Sequence, residues 1–132
     1  MTYPLVTSGY AAFLALIFVA ISAWVVAGRA AFKVNYGDGG DDRLTRRMRA
    51  HANFAEYVPL ILILVALLEA RATSRFTIHA LLLPLVIARA LHPFGMLARD
   101  GSRQQLAFRG STTMVTWLVL VAAAVLLLVD LF

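Results

Sequence analysis

Between Arg47 and Leu64 the chain reads "RMRAHANFAEYVPLILIL", a dense polar cluster running directly into an apolar stretch. Arg49, Asn53 and Glu56 recur there at i, i+4 and i+7. On a helix turning about 100° per residue they share one narrow stripe, with His51 pointing almost opposite. A second stripe follows in "ARALHPFGM", where Arg89, His92 and Met96 succeed one another and Arg89 and His92 are one turn apart. Guanidinium groups hold carboxylates, a carboxylate receives an ammonium, and amide and imidazole groups exchange hydrogen bonds with peptides. This set suits the binding of an anionic or zwitterionic ligand. The chain has no cysteine, so disulfides, thiolate metal sites and a cysteine nucleophile are excluded, and any thiol chemistry must use the ligand's sulfur.

The elements that carry these residues are membrane helices. The chain is 61% hydrophobic and 14% charged over 132 residues, with a mean hydropathy of +0.81, well above the balance of a water-soluble domain. Thr2 to Gly28 gives 27 residues without a charge and Gly110 to Val129 gives 20. Each crosses a hydrocarbon core of about 30 Å as a helix rising about 1.5 Å per residue. The start "MTYPLVTSG" has no positive n-region and reads as a retained span, not a cleaved signal. The uncharged runs Tyr57 to Leu68 and Phe76 to Ala88, of 12 and 13 residues, are too short to cross unless they extend through their ionisable neighbours. The reading is all-α, a single unit over residues 1–132: an up-down-up-down four-helix bundle with helices near 3–33, 43–71, 75–97 and 104–131. "KVNYGDGGDDRL" is a turn-rich loop without EF-hand spacing, and no internal repeat is evident.

Charge placement sets the expected orientation. Arg29, Lys33, Arg43, Arg46, Arg47 and Arg49 flank the first connection, and Arg89, Arg99, Arg103 and Arg109 the third, against Arg71 and Arg75 on the other side. The positive-inside rule then places connections one and three in the cytoplasm and both termini outside. The net charge of +5 is a property of this topology, and no nucleic-acid groove is expected. No histidine has metal-ligand spacing, so no metal is expected.

A charge in hydrocarbon costs several kcal/mol unless paired or hydrated. Two arrangements relieve that cost. Glu56 could pair with Arg89 or Arg49 while Asn53 bonds across helices, gluing the bundle; or the stripes could line a polar cavity. Four cationic or titratable groups against one carboxylate exceed the needs of one structural pair, which favours the cavity. Blander roles fall to other residues. His79 reads as packed or interfacial, and His51 as facing a neighbouring helix or the interface. Pro59 and Pro84 read as tolerated kinks, and Trp24, Trp117, Tyr3 and Tyr10 as packing or interfacial anchors.

"RAHANFAEYVPLIL" also resembles the signature of the MAPEG family, the membrane-associated proteins in eicosanoid and glutathione metabolism, which runs approximately R-A-x-x-N-x-x-E-Y-x-P. "YGDGGDDRL", "ARALHPFG" and "FRGSTTMVTW" match in order over nearly the whole chain. The resemblance, to a bacterial member, implies a homotrimer with glutathione bound between subunits near the cytoplasmic face as cosubstrate, and a lipophilic small molecule entering from the lipid. It implies that Glu56 receives the α-ammonium, that Arg49 and Asn53 contact the peptide, and that Tyr57 lines its pocket. Arg89 and His92 match positions that hold glutathione or brace its neighbours. Arg109 matches the arginine beside the sulfur, with Arg103 as the alternative. The implied activity is that of an inner-membrane glutathione transferase, with peroxide reduction as a related outcome. Two positions depart from the pattern. Ala52 stands where some eicosanoid-forming members carry an arginine, and Met96 where several carry a tyrosine. These departures motivate a rival reading, a non-catalytic scaffold or lipid-binding protein. A small multidrug-type transporter fits less well, because arginines around Glu56 would keep it ionised.

Overall fold

The computed structural model describes residues 3–129, and all regular structure among them is helical. α1 spans Leu5–Phe32, α2 Asp42–Ala70 and α3 Arg75–Leu97; α4 (Arg103–Gln105), a π-helical turn (Leu106–Gly110) and α5 (Ser111–Val129) run on as one rod. Among the described residues four stretches are long and apolar enough to cross a membrane, the rod counting as one, Arg103–Val129. The expected tail of the last helix at 130–131 lies outside the described residues.

Local chemistry explains where the helices start. Asp41 caps α2 by accepting from the amides of Arg43 and Leu44, Ser74 caps α3 through Thr77, and Ser102 caps α4 through Gln105. The loop before α2 turns through Gly37, Gly39 and Gly40, all at positive φ, which only glycine adopts without strain. Pro59, Pro84 and also Pro93 sit inside helices that nonetheless run on past them.

Inward faces carry the core: Leu14 and Ile21 of α1, Phe54, Val58, Ile61 and Val65 of α2, Leu82 and Leu85 of α3, Val119 and Ala123 of α5. Outward faces are as apolar as the core, with Phe13, Leu16, Ile63, Leu83 and Leu118 all exposed. In lipid such faces gain little from burial, so packing and polar ties decide the arrangement. Glu69, at the end of α2, accepts from the backbone amides of Val6 and Thr7, each at 2.8 Å, and from the Thr7 hydroxyl at 2.6 Å. A carboxylate thereby caps the first turn of α1, where orphan amides and the helix dipole both favour negative charge. Near the opposite end Arg47 donates to the Trp24 carbonyl at 3.0 Å and lies over the indole ring. These two ties fix α1 against α2 at both ends. Glu69→Gln is expected to cost about 1–3 kcal/mol, the scale of losing a charge-assisted bond at a buried site. Thermal unfolding in detergent reads this as a lowered melting temperature, whereas an unchanged melt would remove the tie's importance.

Candidate functional site

α2, α3 and the π-helical turn meet at the arginine-rich end. There a cavity of about 380 Å³ opens, within the usual range of small-molecule sites. Arg49 and Asn53 line it from α2, His92 and Met96 from α3, and Arg109 from the turn. Thr113, Met114 and Trp117 supply the α5 wall. A second hollow of about 290 Å³ shares Arg49, Met96 and Arg109 with the first and adds Asp42, Arg46 and Asp100 at its rim. The two hollows adjoin at these shared residues.

Arg89 does not line this cavity. It is almost completely buried, donating from Nη1 to Asn53 Oδ1 at 2.5 Å, and from Nη2 to the Thr112 carbonyl at 3.1 Å and Thr116 Oγ1 at 2.5 Å. With its oxygen accepting from Arg89, Asn53 keeps its amide nitrogen as an unused donor. His92 is fixed similarly, its Nδ1 lying 2.9 Å from Thr112 Oγ1. That hydroxyl already donates to the Phe108 carbonyl. With the hydroxyl donating to that carbonyl, the imidazole donates from Nδ1 and Nε2 is left as an acceptor. Thr112 and Thr116 are thus part of the site's support. Their i, i+4 spacing in "STTMVT" was the available signal, legible only once Arg89 was known to face them.

Arg109 is placed by backbone contact. Gly95 of α3 packs so tightly on the π-helical turn that a Cβ there would lie 2.3 Å from the Arg109 amide nitrogen and 2.6 Å from the Phe108 carbonyl carbon. The wide turn is stabilised by hydroxyls that follow it: Ser111 donates to Ala107, Thr112 to Phe108 and Thr113 to Arg109, in each case to the carbonyl. Such turns recur at functional positions because they re-aim a side chain without ending the helix. Arg103, the alternative, lies exposed on α4 and is not among the residues lining either hollow.

Glu56 and Tyr57, expected from the resemblance to hold the ligand, line neither hollow. The ion pairs among the described residues are Arg43 with Asp41 and Arg46 with Asp100, so Glu56 joins neither Arg89 nor Arg49 within the chain. The cause is helical geometry. α2 buries Phe54, Val58 and Ile61, and Glu56 projects from the opposite side, exposed, while Asn53 sits on the flank. Tyr57 is half-buried against the core cluster. His51 faces α1, the first of its two expected placements, with Nε2 3.1 Å from Ser22 Oγ and its ring stacked on Phe18. At the rim, Arg46 also donates to the Ala98 carbonyl and holds Asp100 at 2.5 Å. That bond, then one from Gln105, keeps the Asp100 carboxyl below its ordinary range. The ion pair is therefore intact at neutral pH and lost only as pH falls through that lowered value.

Four spans, a cationic cavity at one end, and Arg49, Asn53 and His92 around it define a membrane protein of one family: the chain belongs to the MAPEG family, which it matches over residues 7–129. It is also similar to the inner membrane protein YecN of Escherichia coli strain K12, with 30% identity over 116 residues, covering 88% of this chain and 85% of that protein. The YecN of strain CFT073 matches to the same extent. No solved structure matches the chain.

Proposed function

We propose that the chain is a trimeric, multi-pass inner-membrane glutathione transferase that conjugates lipophilic electrophiles. One observation carries this reading: Arg49, Asn53, His92 and Arg109, drawn from three helical segments, line one cavity whose lining includes two guanidinium groups and no carboxylate. Such a cavity attracts the carboxylates and the thiolate of glutathione. The peptide's ammonium needs an acceptor, and Glu56 faces outward where a second subunit would pack. A site shared between subunits supplies both.

In this reading the four spans run up-down-up-down as a single unit, with the arginine-rich end in the cytoplasm and both termini outside. Arg49, the Asn53 amide and His92 Nε2 hold the peptide, Tyr57 lines its pocket, and Arg89 works indirectly by orienting Asn53. Arg109 stands beside the sulfur. A fixed guanidinium lowers a thiol's pKa and stabilises the thiolate, and arginine keeps its charge where lysine can lose it. The thiolate then attacks the electrophilic carbon, forming the C–S bond as the leaving group departs. Met96, Met114 and Trp117 give the cavity an apolar wall for a substrate arriving from lipid.

Millimolar glutathione is expected to raise the melting temperature in detergent by several degrees, the scale of a ligand well above its Kd. Glu56→Gln is expected to abolish that shift while leaving the unliganded melt in place, because Glu56 is exposed in the single chain. An unshifted wild-type melt would overturn the proposal. Met96 at the cavity wall favours a second reading, a scaffold that retains the fold without turnover. Thiol consumption with a chromogenic aryl halide no faster than in buffer would decide for the scaffold.

A further inference from the structure

A groove of about 570 Å³ lies between α1 and α3 at the end of the bundle remote from the arginine-rich cavity. Gly9, Tyr10 and Phe13 form one wall and His79, Leu83 and Val86 the other. Tyr10 and His79 contribute its polar side chains, with Oη and Nδ1 2.9 Å apart and the rings edge-on. If the phenol donates to Nδ1, the imidazole carries its proton on Nε2; if Nδ1 donates, the phenol proton is left over. In either tautomer one donor remains, free to meet an acceptor supplied by a bound molecule.

The rest of the α3 face indicates what meets it. Arg75, His79, Leu83 and Val86 recur at i, i+4, i+8 and i+11, within a wedge of about 80°. Arg75 is exposed at the first turn of α3, roughly 6 Å along the axis from His79. Glu69 shares this end: its carboxylate caps the first turn of α1 and also lies within the field of Arg75, whose side chain is exposed to a second anion. Reading inward, the face presents a guanidinium, then a hydrogen-bond donor, then an apolar track. A phospholipid presents the matching sequence of phosphate, ester carbonyl and acyl chain. Across the groove, a Cβ on Gly9 would meet no atom within 4 Å, so the absent side chain leaves space for the chain.

We propose that this groove binds one phospholipid, with the phosphate at Arg75, an ester carbonyl on the free donor of the Tyr10–His79 pair, and an acyl chain along Gly9, Phe13, Leu83 and Val86. The site is separate from the glutathione cavity and does not depend on it.

Native mass spectrometry of the full-length protein tests this, with detergent micelles doped in turn with ester-linked phosphatidylglycerol, its ether-linked analogue and a short-chain ubiquinone. The ester lipid should be retained about fivefold better than the ether, the scale of one hydrogen bond to a carbonyl. That preference should vanish in the double variant Tyr10→Phe, His79→Leu, and Arg75→Gln should weaken both lipids alike. Gly9→Leu should fill the groove and remove most of the adduct with the melting temperature kept. Equal retention of ester and ether lipids by the wild type, adducts unaffected by Gly9→Leu, or retention of the quinone in place of phospholipid would each overturn the proposal. Should Gly9→Leu fail to fold, the ester-to-ether ratio of the wild type decides alone.

Discussion

Arg109→Ala is expected to lower kcat/KM for glutathione conjugation by about 10²-fold or more, the scale on which a single charge-stabilising donor acts in a water-poor site. The residue is exposed at the cavity, so the melting temperature should hardly move. The diagnostic readout is the pH profile. Without the guanidinium, the bound thiol should need a pH nearer its ordinary value of about 8.5 to ionise, and the rising limb of activity should move upward. Arg103→Ala is the matched control, since Arg103 lines neither hollow, and it should retain near-normal rates. If the two variants lose activity equally, or the limb stays put, Arg109 is not the thiolate's partner.

Gly95→Ala is expected to act on both stability and rate. The added methyl would sit 2.3 Å from the Arg109 nitrogen and 2.9 Å from its Cα, contacts that backbone cannot relieve by rotating a side chain. α3 and the π-helical turn must separate. Overpacking of this kind costs about 1–3 kcal/mol. A displacement of about 1 Å at a reacting group can reduce the rate by some 10²-fold. The melting temperature should therefore fall and kcat/KM should drop even at temperatures where the variant stays folded. Gly110→Ala provides the comparison, because a Cβ there meets nothing within 4 Å. A Gly95→Ala protein with native activity would show that the close approach does not set Arg109.

The spans, the family and much of the cavity were legible in the sequence because they depend on local quantities. Hydropathy over a window marks a helix that lipid can hold, and the 3.6-residue repeat places Arg49 and Asn53 on one face whatever packs against them. The same reasoning turned His51 off that face, and packing against α1 decided between a neighbouring helix and the interface. It could not separate residues that touch the cavity from residues that hold others in place. Arg89 and His92 share a stripe, yet Arg89 turns into three buried acceptors while His92 lines the cavity.

Only the tertiary structure made that distinction. Periodicity gives the angle of a side chain about its own axis but not which neighbour occupies that angle. Thus Glu56, on the same stripe as Asn53, faces away from the core, because the α2 core line runs through Phe54 and Val58. Glu69 has an even weaker local signal, a lone acid at a helix end, and its role depends on the first turn of a helix more than sixty residues away in sequence. Sequence determined that this chain crosses a membrane and which faces are polar. Packing decided which polar groups meet, because in lipid the apolar faces are nearly equivalent and a few hydrogen bonds and one backbone contact at Gly95 select among them.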